Sequence, residues 1–140
     1  MGEILGWVAD YPFTTALLLV FVALGGFRLT RKYRPITPAE AVRHIDDGQT
    51  CFLDVRTARE VAGGTLPGAV HIPIPQLRKR LDELREQAGS GPVVVYCHSG
   101  MRAASAAYLL ARRGFGEVYN LQGGIMAWRG QGLPMAGGHE

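Results

Sequence analysis

Cys97 opens the segment Cys97-His98-Ser99-Gly100-Met101-Arg102, and the residue types there suit a nucleophilic sulfur. The apolar run Val93-Val94-Val95-Tyr96 just before it reads as a strand, and a helix is expected from about Arg102 to Arg113, where Gly114 stops it. A loop that passes from a strand end straight into a helix turns several backbone N–H groups toward one point, with the positive end of the helix behind them. Such a point is an anion site, and it favours the thiolate, the nucleophilic form of cysteine. Gly100 lets the backbone curl, and Ala103, Ala104 and Ala106 leave the helix start uncrowded. Arg102 adds a fixed positive charge for an anionic substrate. His98 is either a neighbour that tunes the thiol or an exposed loop histidine without a chemical role. Cys51, inside a short apolar run, reads as a buried structural cysteine.

The loop needs a scaffold, and the rest of the chain describes one. Thr37-Pro38-Ala39-Glu40 sets a capping Thr before a Pro at the first helical position, with Glu three residues after the cap. That helix carries Ala41, Val42 and Ile45 and stops at Gly48. Cys51–Val55 is a buried strand, and Thr57-Ala58-Arg59-Glu60 repeats the capping spacing for a short helix ending near Gly63-Gly64. Ala69–Ile72 is a strand bounded by prolines, and Leu77, Leu81 and Leu84 mark an amphipathic helix over about Gln76–Gln87. Val118–Leu121 reads as the last strand, followed by a short helix around Ile125–Arg129 and a frayed tail from Met135. Strands alternating with helices predict an α/β fold, a parallel sheet with helices on both faces. Ligands of such sheets bind beyond the carboxyl ends of the strands, where Cys97 stands.

Composition narrows the classes. The chain has 140 residues, 47% hydrophobic and 19% charged, which suits one ordinary domain and excludes a disordered chain. Two cysteines exclude a disulfide scaffold, and neither a CxxC nor a Cys/His cluster suggests a metal, so no metal or cofactor is expected. A net charge of +3 is too weak to argue for nucleic acid. Up to Arg34 there are four basic residues (Arg28, Arg31, Lys32, Arg34) and two acidic ones (Glu3, Asp10), so the excess sits at the N-terminus.

Tyr11–Phe27 contains no charge over 17 residues, the short end of the roughly 17–25 that span a bilayer. Trp7 and Tyr11 suit one interface and Tyr33 the other, and Pro12 suits the first turn of a helix. A cleaved signal peptide would carry its positive charge before the apolar run, whereas here it follows. One transmembrane helix is therefore expected, with the N-terminus outside and the domain cytoplasmic, at a bacterial inner membrane. The expected layout is an anchor with a basic juxtamembrane segment over 1–34, a domain over 35–135 and a flexible tail over 136–140.

Cys97-His98-Ser99-Gly100-Met101-Arg102 resembles the CxxGxR active-site loop of single-domain rhodaneses, a family of sulfurtransferases. Phe52–Arg56 resembles its "LDVR" strand, and Leu66–Pro73 its "IPGAxxIP" segment. Leu121–Trp128 resembles its "LxGGxxxW" close, and Gly132-Leu133-Pro134 its "GLP" ending. The matches keep family order over about residues 36–135; the apolar N-terminus lies outside them.

The resemblance implies that the Cys97 thiolate takes the outer sulfur of a donor such as thiosulfate, or of a protein persulfide, and passes it to cyanide or a thiol. It implies substrate binding by His98, Ser99, Gly100, Met101 and Arg102, with support from Asp54 and Arg56. Arg56 either contacts substrate or pairs with Glu60, and Arg59 is expected at the surface. The chain departs from the family pattern at Thr65, where a histidine is frequent, and at Val61, where an aromatic is frequent. A docking or regulatory module at the membrane is the alternative without catalysis. Cysteine-dependent phosphatases and arsenate reductases are the alternative with it, but they use C-x5-R, and only four residues separate Cys97 from Arg102.

Overall fold

A computed structural model of the chain describes residues 2–29 and 33–137, without the side chains of 26–29. Arg31 and Lys32 of the basic cluster, the side chain of Arg28 and the tail from Gly138 lie outside the described residues. The chain divides into an N-terminal unit, 1–31, and a larger unit, 32–140.

The N-terminal unit is two helices, α1 (Gly2–Asp10) and α2 (Pro12–Leu29). The expected single transmembrane helix is corrected here: Gly2–Asp10 and Pro12–Gly25 bend by 103°. Pro12 has no N–H to donate back to the preceding turn, so the ladder is interrupted where α2 begins. Among the described residues no single helix is long and apolar enough to cross a membrane; the bent pair taken together meets the criterion by length and composition only. The rings of Trp7 and Tyr11 lie 5.7 Å apart at the bend. Phe13, Leu17, Leu19 and Phe21 are exposed.

In the larger unit five parallel strands form one sheet: β1 (Arg34–Ile36), β2 (Cys51–Asp54), β3 (Val70–His71), β4 (Val93–Tyr96) and β5 (Val118–Leu121), in the order β1-β5-β4-β2-β3. α3 (Pro38–Ala41) follows β1, α4 (Ala58–Val61) follows β2, and α5 (Ile74–Leu77) and α6 (Leu81–Ala88) follow β3. α7 (Met101–Arg112) follows β4 and α8 (Gly124–Gly130) follows β5. Side-chain alternation along the strands gives two cores. Leu53, Val93 and Val95 pack with Leu77, Leu84, Ala107 and Leu110 on one face. Phe52, Val94 and Tyr96 pack with Ala41, Ile125 and Trp128 on the other. Helices therefore cover both faces, as the alternation predicts.

Several boundaries differ from the sequence reading. Arg34 is the first residue of β1, a three-residue strand without alternation to betray it, and Tyr33 packs against the first core. The helix expected over Gln76–Gln87 is α5, a 3₁₀ turn at Arg78–Arg80, and α6. Arg80 (φ −113°) leaves the helical region there, and its guanidinium bridges Gln76 and Glu83. The tail is not frayed at its start: Thr65 and Ala136 exchange two main-chain hydrogen bonds of 2.8 Å.

Parallel register decides which loops meet. Asp54 lies beside Tyr96, and Val95 beside Asn120. The segments leaving β2, β4 and β5 therefore emerge together at the carboxyl edge of the sheet.

Candidate active site

Cys97 follows the last residue of β4, and its side chain turns toward the first core beside Ala103 and Ala106. It is 1% exposed. Burial alone would make it inert, but its sulfur faces amides: Sγ accepts from Gly100 N at 3.0 Å and from Ala103 N at 3.4 Å. The curl depends on Gly100, whose φ of 108° is left-handed and open only to glycine. Gly100 also heads α7, its carbonyl accepting from Ala104 N at 3.2 Å. Two N–H groups at the start of α7, those of Gly100 and Ala103, which have no partner within the helix, are thus aimed at the sulfur.

The loop's carbonyls turn the other way, onto α8. Ile125 N donates to Cys97 O at 2.9 Å, and Met126 N to His98 O at 3.1 Å. The approach is close enough to require glycine at 124. A Cβ there would stand 2.5 Å from both Cys97 O and His98 O, at a φ of +58°. Asn120 Nδ2 donates to Gly100 O at 3.3 Å. The sulfur cradle is thereby held from behind by α8 and from the side by β5.

Two ion pairs flank the loop. Arg102 places both terminal nitrogens on Glu60, at 2.6 and 2.8 Å. The hydrogen bonds from Arg102 hold the Glu60 carboxyl down at about 2, below the usual carboxylate range. Glu60 also closes a capping box with Thr57 at the start of α4. Arg56 is 2% exposed and grips the fully buried Asp54 with Nε at 3.0 Å and Nη2 at 2.7 Å. Its guanidinium also reaches Gly64 O at 2.7 Å and lies over the Tyr96 ring, 5.8 Å from the centroid. Burial and the charge of Asp54 push the Tyr96 hydroxyl up, and that hydroxyl accepts from Leu66 N at 3.1 Å.

The sequence profile of the rhodanese-like domain matches residues 37–131. The chain belongs to the rhodanese-like family. A protein named as a sulfurtransferase in Allochromatium vinosum is 38% identical over 93 residues, covering 66% of this chain and 84% of that protein. The Escherichia coli K12 protein YibN is 30% identical over 142 residues, covering 99% of each chain. A rhodanese-related protein of Thermoplasma volcanium is 31% identical and superposes with a TM-score of 0.67, over 74% of this chain and 98% of that one.

On this rhodanese-like fold the expected site residues divide by position. Cys97, Gly100 and Arg102 meet at the start of α7, and Asp54 and Arg56 stand at the neighbouring strand end. His98, Ser99 and Met101 present exposed side chains around the loop. Arg56 pairs with the carboxylate of Asp54, not with that of Glu60, and gives Glu60 only a 3.3 Å bond to its backbone carbonyl. Arg59 is exposed, as expected. Thr65 carries the bridge to Ala136, so the departure from the family's histidine falls on a position that ties down the C-terminus. Cys51 lies in β2, where burial pushes its thiol up to about 11. Three participants went unread in the sequence: Glu60 as the partner of Arg102, Gly124 as the close approach, and Asn120 on Gly100. The Gly123-Gly124 pair was the one available signal.

Proposed function

We propose that this rhodanese-like sulfurtransferase carries sulfane sulfur as a persulfide on Cys97, with thiosulfate or a persulfide as donor and a thiol or cyanide as acceptor. The observation behind this is the pair of amides directed at Cys97 Sγ. The Cys97 thiolate attacks the outer sulfur of thiosulfate; the donor S–S bond breaks and sulfite leaves with its electron pair. The terminal sulfur of the persulfide carries the negative charge, and the N–H groups at the start of α7 stabilise it, each contributing on the order of 3 kcal/mol. An acceptor then removes that sulfur and regenerates the thiolate, giving two half-reactions with a covalent intermediate. Asp54 and Arg56 position the loop through Tyr96 and the β2 end and do not touch the donor. With four residues between Cys97 and Arg102, the cradle suits one sulfur better than a tetrahedral phosphate.

The N-terminal unit holds the protein at a membrane, with the basic residues and the domain on the cytoplasmic side. The apolar residues exposed along Pro12–Gly25 and the positive cluster after them support this reading.

Full-length protein in detergent, incubated with thiosulfate and weighed intact, is expected to gain about 32 Da, lost on cyanide treatment and absent in Cys97→Ser. A gain that persists in Cys97→Ser refutes the nucleophile. Protease added to intact spheroplasts is expected to spare the domain, and digestion of the domain refutes the orientation.

A further inference from the structure

We propose that Glu60 sets donor choice. By closing Arg102 into a neutral pair, it biases the Cys97 loop away from dianionic thiosulfate and toward organic persulfides, whose charge is confined to the sulfur being transferred. This rests on the persulfide reading above and narrows its donor.

Arg56 and Arg102 are each committed to a carboxylate. Arg56 lies buried on Asp54, and Arg102 lies on Glu60 through two bonds of 2.6 and 2.8 Å. An incoming donor therefore meets backbone amides and the N-terminal end of α7, but no free guanidinium from this pair of residues. Amides at 3.0 and 3.4 Å from Sγ can hold the one charge of the transferred sulfur. The sulfonate of thiosulfate brings a second charge to a rim where the paired Glu60 carboxylate offsets the attraction of Arg102. The rim also suits an organic group. Met101 is 83% exposed and Met126 is 56% exposed, and Met126 is bonded through its amide to the loop at His98. Thioethers adapt to irregular apolar partners. In the favoured reaction the Cys97 thiolate attacks the outer sulfur of the protonated donor R–S–SH. That S–S bond breaks, and R–S⁻ leaves with the electron pair. The new persulfide on Cys97 then gives its proton to the departing thiolate, which leaves the single charge on the transferred sulfur.

Glu60→Gln separates charge from scaffold, because Gln at this position still closes the capping box with Thr57. The measurement is kcat/KM for loading full-length protein from thiosulfate and from 2-hydroxyethyl persulfide, each read by mass on Cys97. In Glu60→Gln the thiosulfate-to-persulfide ratio is expected to rise on the order of tenfold, the effect of removing one nearby charge in a partly solvated site. Adding Arg102→Met is expected to abolish that rise. The unaltered protein supplies a second reading: its thiosulfate rate should change less than about twofold with salt, while that of Glu60→Gln falls several-fold. A ratio within about twofold of the unaltered protein overturns the proposal, as does a rise that survives loss of Arg102. Loading by neither donor overturns the persulfide reading with it, whereas loading with an unmoved ratio overturns this inference alone.

Discussion

Replacing Gly124 by Ala tests whether the loop is held from behind by α8. A Cβ at 124 would stand 2.5 Å from the carbonyl oxygens of Cys97 and His98, and 2.6 Å from the carbonyl carbon of His98, all backbone atoms. Ordinary contact begins at 3.4 Å, so loop and helix must part by close to 0.9 Å. That would stretch the bonds from Ile125 and Met126, now 2.9 and 3.1 Å, beyond hydrogen-bonding range. Two lost bonds cost about 1 kcal/mol each, and a left-handed non-glycine residue about 1 more. The expected loss is therefore about 3 kcal/mol, within the range for overpacked sites. The same displacement draws the Gly100 and Ala103 amides off the sulfur, and persulfide loading should fall about 100-fold. Gly130, at the other end of α8, is the control: an added Cβ there meets nothing within 4 Å, and Gly130→Ala should match or slightly exceed the parent in stability. Urea unfolding of the full-length protein in detergent, with loading rates in parallel, measures both effects. A Gly124→Ala protein within about 0.5 kcal/mol of the parent, loading at the parental rate, would refute the argument.

Arg56→Met leaves the buried Asp54 carboxylate without its partner and should cost about 3–5 kcal/mol in urea unfolding, part of it recovered when Asp54→Leu is added. Cys51 should resist iodoacetamide at pH 8 in the folded protein and react fully in urea, as peptide mapping would read, because burial holds its thiol at about 11. Glu60 has a folded value lowered from 4.5 to about 2, so its contribution is present above pH 4.5 and is lost as pH falls toward 2. With Arg102 and Glu60 40% and 30% exposed, that contribution is discounted for solvent to about 1 kcal/mol, and Glu60→Gln should flatten this part of the acid limb of stability against pH.

The parts of the fold that sequence revealed are those with a local cause. Thr37 and Thr57 each accept from the Glu three residues on, as capping spacing requires, and Val93–Tyr96 is buried at every position, as an uninterrupted apolar run implies. The Cys97 loop was legible because strand, glycine and helix follow one another along the chain. What escaped depends on residues distant in sequence. Glu60 reaches Arg102 from 42 positions away, through the register of β2 with β4, and nothing in Thr57-Ala58-Arg59-Glu60 announces a use beyond capping. Gly124 precedes the expected short helix in the sequence, and nothing local shows that its neighbours are the carbonyls of Cys97 and His98. The bend before α2 escaped because a proline at a helix start reads the same whether the preceding residues are coil or another helix.

Pro35 in β1 carries a consequence for how this protein behaves at high concentration. Ile36 O accepts from Gln122 on the β5 side, so the neighbouring Pro35 directs its main-chain groups to the outer margin of the sheet. At that point the margin has an acceptor but no N–H to offer a foreign strand. Copies gathered at high local density would meet, along β1, a sheet border that is a poor template for their own zippering.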